Sequence, residues 1–260
     1  MRLFPHRDLI WVLVKRDLAE RYRGSFFGVL WSFISPIVML LIYTFVFGLI
    51  FQSRWPQEQE DPVSFSVILF SGLMIFNFFA EIVNKSPALV TNNPNYVKKI
   101  IFPVHVLSLV SLGSSLINLS IALGIWVGFY LILEGLPPVT SLFFPLVILP
   151  LLLKALGVSW FLASIGVYIR DVSHIIAMIT TALLFLSPIF FPLSALPEPM
   201  QSWLVLNPLT LAVEDTRAVL IWGNLPSLPR LMLDTAASAF VAMAGLYWFQ
   251  KTRKGFADVL

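Results

Sequence analysis

SPALVTNNPNYVKKIIFP, residues Ser86–Pro103, is the longest interior polar island in an otherwise nearly continuous apolar chain. On both sides of it apolar runs of about 20 residues recur, long enough to cross a hydrocarbon core of roughly 30 Å. Of the 260 residues 58% are hydrophobic and 12% charged, against about 25% charged in soluble domains. The chain therefore reads as an all-α integral membrane protein forming one domain over residues 1–260, with Ser86–Pro103 as a loop between two spans. Prolines and asparagines cut that loop into short pieces. Its last piece, Asn95, Tyr96, Val97, Lys98, Lys99, Ile100 and Ile101, predicts a two-turn helix with Asn93 as cap and Pro94 at the first helical position. Tyr96, Val97, Ile100 and Ile101 share a face and the two lysines point elsewhere, as in a short amphipathic helix built to dock.

The absence of Cys removes disulfides, thiolate metal sites and Cys nucleophiles together. His6, His105 and His174 lie far apart and offer no helical ligand pair. A pI near 9.3 reports topology in a membrane protein before it implies nucleic acid.

Taken in order, residues 1–25 hold a charged helix (PHRDLIWVLVKRDLAERY, 5–22) that is too polar to span and reads as an amphipathic helix in the headgroup plane. Leu9, Val12, Leu13, Ala19 and Tyr22 form its expected apolar face. Six spans follow: Phe26–Phe51, Val63–Asn84, Val104–Leu133, Leu142–Ile169, Val172–Phe191 and Leu231–Phe249. The first carries Phe27, Trp31, Tyr43, Phe47 and Phe51 as a drifting aromatic stripe, which either packs or lines a conduit. Glu81 and Lys85 close the second at i, i+4 spacing. In the third, Gly113, Ser114, Ser115, Asn118 and Ser120 allow close helix approach. Lys154 sits within the fourth, roughly 22 Å from its Arg170 end at about 1.5 Å per residue. It either snorkels outward or faces a wet cavity. Asp234 is expected to pair with Arg230 one turn back.

Residues 193–230 change character. Prolines separate MQSWLVL from LTLAVEDTRAVLIWG, pieces too short or too charged to cross. Backbone at membrane depth is tolerated only against protein or water, so two short re-entrant helices are expected between spans five and six. Of the 17 Lys and Arg, only Arg54, Arg217 and Arg230 fall on the side opposite the termini, and Lys154 lies within a span. The positive-inside rule then places both termini and the 86–103 loop in the cytoplasm.

No phosphate loop, nucleophile elbow, H-E-x-x-H motif or acidic cluster occurs. The intramembrane acids are too sparse for a relay of paired carboxylates. Such a chain looks like a conduit whose energy source lies elsewhere.

The ordered set Lys15-Arg16-Asp17-Leu18, Arg21-Tyr22-Arg23-Gly24-Ser25, Gly28-Val29-Leu30-Trp31, Pro36, Lys98-Lys99, Phe102-Pro103, Tyr168-Ile169-Arg170-Asp171, Ser187-Pro188-Ile189-Phe190-Phe191-Pro192 and Asn207-Pro208-Leu209-Thr210 resembles type 2 ABC exporter permeases. It is most similar to those exporting O-antigen and related lipid-linked polysaccharides. The resemblance implies a non-enzymatic subunit of a homodimer in the bacterial inner membrane, with each copy bound to a cytoplasmic ATPase subunit that holds ATP and Mg; this chain itself would hold no cofactor. The implied substrate is an undecaprenyl-linked glycan. By the same resemblance Asn95–Ile101 is the ATPase-coupling helix. Trp31, Tyr43, Phe47, Phe51, Phe190 and Phe191 become channel-lining candidates, and Trp203, Asn207, Pro208, Arg217 and Trp222 outer-gate candidates. Lys154 matches no family pattern. Export of capsule, teichoic acid or a small molecule fits the same architecture, and a channel without an ATPase is the alternative from another class.

Overall fold

The computed structural model describes residues 7–21, 25–50, 65–98 and 102–259. These are overwhelmingly helical, with no strand among them. In chain order the helices are α1 (Arg7–Arg21), α2 (Trp31–Tyr43), α3 (Phe65–Lys85), α4 (Pro94–Lys98), α5 (Val106–Leu133), α6 (Phe144–Tyr168), α7 (Val172–Leu186), α8 (Glu198–Leu204), α9 (Thr210–Leu220), α10 (Leu228–Thr252) and α11 (Phe256–Val259). Among the described residues four stretches are long and apolar enough to cross a membrane: Phe65–Ala88, Val106–Leu133, Val139–Tyr168 and Leu228–Gly255. They coincide with the expected second, third, fourth and sixth spans. Where the first and fifth spans are expected, the apolar helices are shorter, Trp31–Val46 and Val172–Leu186. Phe51 lies outside the described residues, as do the side chains of Phe47, Val97 and Lys98 and all of Lys99, Ile100 and Ile101.

Helix α3 is the central post. From Val67 to Ala80 every residue is buried except Asn77, and its apolar side chains reach into one cluster with α5, α6, α7 and α9. A helix apolar all round belongs in the middle of a bundle. Polar bonds cross between its neighbours. Trp126 Nε1 donates to the Val67 carbonyl at 3.1 Å, and Thr180 Oγ1 to Asn84 Oδ1 at 3.0 Å. Ser86 Oγ donates to Ser159 Oγ at 2.8 Å where the turn after α3 meets α6.

Small residues set the closest approach, between α6 and α10. A Cβ on Gly157 would stand 2.5 Å from the Val241 carbonyl oxygen, and one on Gly245 would overlap the Gly157 carbonyl. Reciprocal glycines let two backbones touch where lipid supplies no hydrophobic drive for association.

Three sequence expectations are corrected. The fifth span ends at Leu186 and not Phe191, because Ser187 precedes Pro188 and adopts φ −98°, ψ 151°, the extended conformation that proline imposes on its predecessor. The face of α1 is rotated: Leu13 and Val14 are buried against Val106 and Val110 of α5, whereas Val12 is 62% exposed. At the loop helix, Asn93 Nδ2 turns back to the Leu89 carbonyl at 2.9 Å, and the Asn93 backbone carbonyl accepts from Tyr96 N at 3.0 Å.

Gly157→Ala tests the α6–α10 contact. Overpacking against backbone is expected to cost about 1–3 kcal/mol and to lower the thermal unfolding midpoint in detergent. Gly128→Ala, where a Cβ meets nothing within 4 Å, is expected to leave the midpoint unchanged.

Candidate translocation path and its charged supports

Two adjoining cavities of about 330 Å³ each open along α2. Trp31 and Glu81 border one, Tyr43 and Leu184 the other, and Ser35, Pro36, Phe70 and Asn77 border both. The aromatic candidates therefore separate. Trp31 and Tyr43 face the cavities, and about 18 Å of helix lies between them at 1.5 Å per residue. Phe190 is buried; its ring lies 5.6 Å from that of Tyr43 and stacks at 5.8 Å on Phe185, so it acts here as a prop. Phe191 packs, partly buried, against the main core.

The gate candidates separate in the same way. Asn207 Nδ2 donates to the Leu186 carbonyl at 3.2 Å and to Ser187 Oγ at 2.9 Å, and its Oδ1 accepts from Leu209 N at 2.9 Å. It satisfies a carbonyl at the broken end of α7 and starts the turn that Pro208 continues. Arg217 is 1% exposed. Its guanidinium donates to the Pro188 carbonyl at 2.5 Å and the Ile189 carbonyl at 2.9 Å, with Glu214 at 3.3 Å. Gly72 makes room for it, since a Cβ there would lie 2.8 Å from Arg217 Nη2. Trp222 packs against the core, whereas Trp203 is 75% exposed. Asn207 and Arg217 thus pin the Ser187–Pro192 turn to α9 and α3.

The expected Asp234–Arg230 pair is replaced. Asp234 accepts from Lys154 Nζ at 2.7 Å, joining α10 to α6. Arg230 pairs with Asp215 of α9. Burial pushes the Glu214 and Asp215 carboxyls above their ordinary range, although Arg217 beside the first and Arg230 beside the second pull them back. Local spacing does not reveal this partner. A depth count along the sequence does offer a signal, because Asp234 lies only some four residues further from the Thr252 end of α10 than Lys154 does from Tyr168.

At the C-terminal end of α3, Glu81 pairs with Arg21 of α1. That carboxylate also accepts from Ser115 Oγ at 2.8 Å and from Asn118 Nδ2 at 2.9 and 3.2 Å. Lys85 bridges Asp17 at 3.2 Å and Glu81 at 3.6 Å, the latter as expected at i, i+4. Of the loop helix, Asn95 is exposed and Tyr96 half-buried. The Tyr96 hydroxyl accepts from Arg16 Nη1 at 2.6 Å, and its ring stacks on Phe102 at 4.2 Å. Among the described residues no group of three His, Asp or Glu converges to hold a metal ion.

A family model described as ABC-2 type transporter matches residues 8–221. The chain is 28% identical over 258 residues to the O-antigen export system permease protein RfbA of Myxococcus xanthus, covering 98% of this chain and 96% of that one. It is 24% identical over 254 residues to a protein of the same name from Klebsiella pneumoniae, covering 97% and 95%. The polysialic acid transport protein KpsM of Escherichia coli is 25% identical over 236 residues, covering 89% and 90%.

Lys154→Met leaves Asp234 with a poorly compensated charge and is expected to destabilise by about 3–5 kcal/mol, read as earlier unfolding in a denaturant titration. Lys154→Met with Asp234→Leu removes both charges and is expected to recover most of that loss. A double variant as unstable as the single would show that the pair is not the interaction that matters.

Proposed function

The chain belongs to the ABC-2 type transporter family, and from that premise we propose that it is the membrane subunit of an ATP-driven exporter of lipid-linked polysaccharide, with O-antigen as the favoured cargo. The observation that carries the cargo assignment is near full-length similarity to permeases named for O-antigen export. Capsule-type export is the second reading, supported by the somewhat shorter match to a polysialic acid transport protein.

In this reading six helices cross the inner membrane, the shorter α2 and α7 among them. Two copies associate, each engaging a cytoplasmic ATPase subunit that binds ATP and Mg. Both termini and Ser86–Pro103 lie in the cytoplasm, where the basic residues are concentrated. The glycan passes along α2 and α7, over aromatic faces that give sequence-tolerant contacts suited to a polymer. Residues 193–230, with α8 and α9, dip in from the outer face and form the gate.

Energy enters at the loop helix, Asn95 to Ile101. Tyr96 is already engaged by Arg16 and Phe102, which leaves the exposed Asn95 and the following residues to meet the ATPase. Movement of α4 is passed through Arg16 to α1, and from α1 through Arg21 and Asp17 to the cytoplasmic end of α3. A ligand shifts such an equilibrium only by its differential affinity for the two states, so nucleotide state in the partner has to change how tightly α4 is held.

Deleting the gene is expected to abolish surface polysaccharide and accumulate lipid-linked glycan on the cytoplasmic side, detected by extraction and gel analysis; retained surface glycan would sink the export reading. Replacing Tyr96, Lys98 and Lys99 together with Ala is expected to lower export about tenfold at constant protein level, within the roughly 1–3 kcal/mol typical of coupling between sites. Unchanged export would remove the coupling role.

A further inference from the structure

Between Val67 and Ala80 the central post of the bundle presents one residue outward, and it is polar: Asn77. It lies one helical turn before Glu81, well inside the apolar length of α3. Ser35 of α2 is exposed and borders the same space. Among the described residues neither Asn77 nor Ser35 has a hydrogen-bond partner in the chain. An amide or hydroxyl removed from water without a partner is costly, by about 1–3 kcal/mol in protein mutational data. The two side chains mark the junction of both cavities, with Trp31 toward one end and Tyr43 toward the other.

The charge at the junction selects the ligand's class. Arg21 borders the first cavity but is paired with Glu81, and Glu81 also accepts from Ser115 and Asn118 and lies beside Lys85. Among the described residues the second cavity is bordered by no ionisable group except Tyr43. A phosphate entering here would meet a carboxylate and a guanidinium already committed to each other. A neutral ligand rich in hydroxyls meets what is on offer. The Asn77 amide presents both an acceptor and donors, Ser35 presents a hydroxyl that does both, and the aromatic residues supply apolar ring faces. Each volume lies at the lower end of the roughly 300–1,000 Å³ usual for small-molecule sites.

We propose that Asn77 and Ser35 form a sugar-ring subsite at the junction of the two cavities, selecting hydroxyl-bearing units of the polymer by hydrogen bonding while Trp31 and Tyr43 provide stacking faces. The subsite rests on the polysaccharide-export reading and adds to it a polar selection point between the aromatic residues.

The chain has no Cys, so Asn77→Cys and Ser35→Cys each give a single reporter thiol without further engineering. Full-length variants in detergent are alkylated with a water-soluble maleimide, and Lys251→Cys at the exposed end of α10 serves as control. The probe is a purified oligosaccharide from mild-acid hydrolysis of the cell's own surface polysaccharide, and inorganic pyrophosphate is the comparison arm. At ten times its dissociation constant the oligosaccharide is expected to slow alkylation at both junction thiols about tenfold, following 1 + [L]/Kd, and to leave Lys251→Cys unchanged. Three results overturn the subsite: no protection at any concentration, protection by pyrophosphate equal to that by oligosaccharide, or a disulfide between Asn77→Cys of two copies, which would show that a second copy covers the junction. Asn77→Ala and Tyr43→Ala, assayed for export at constant protein level, separate this inference from its premise. Retained surface glycan after gene deletion removes the export reading, whereas intact export with unprotected thiols removes only the subsite.

Discussion

A charge or peptide group carried into hydrocarbon has to find its partner inside the same protein, because no water is there to supply one. The architecture of this chain depends on that constraint at three depths. At the α1 end of the bundle Glu81 gathers Arg21, Lys85, Ser115 and Asn118. Deeper, Lys154 and Asp234 hold α6 to α10. Toward the opposite end Arg217 donates to the Pro188 and Ile189 carbonyls of the turn after α7, and Arg230 meets Asp215. Each cluster joins two or more helices that the chain order separates. Apolar packing holds the bundle together, and the charges determine which helices face one another.

Proline placement creates the need for the Arg217 cluster. The Ser187–Pro192 turn stops α7 well short of the length of its neighbours, and the carbonyls of that turn need donors. Arg217 reaches them only because Gly72 of α3 has no side chain. A residue that resembled a gate element by position is in the structure a buried clamp. Its long stem and planar, multi-donor head suit it to bonding two adjacent carbonyls at once. The gate proposal therefore rests more on the exposed surface of α8, where Trp203 stands out, than on α9, which is anchored.

The 86–103 loop is tied down in a comparable way. Tyr96 is the one residue of its expected docking face with a described side chain, and it is spent on α1 and Phe102. That makes α1 more than a helix lying in the headgroups. It is bonded to the loop at Arg16, to α3 at Arg21 and Asp17, and packed on α5 through Val14 against Gly113. Through Arg16, Arg21 and Asp17 the loop is thus linked by way of α1 to the end of α3.

From the sequence alone one could read the all-helical membrane class, the positions of the four long spans, the short pieces between α7 and α10, and the polar loop before α5. All of these follow from local run length, proline and charge, which act over a few residues. The pairing of Lys154 with Asp234, the conversion of Arg217 into a clamp, the burial of Phe190 beneath Tyr43 and the rotated face of α1 were decided by the tertiary structure. They depend on which helices become neighbours and at what depth. Residues about 80 positions apart, such as Arg16 and Tyr96 or Lys154 and Asp234, meet only once close packing at Gly113, Gly157 and Gly245 has brought their backbones together.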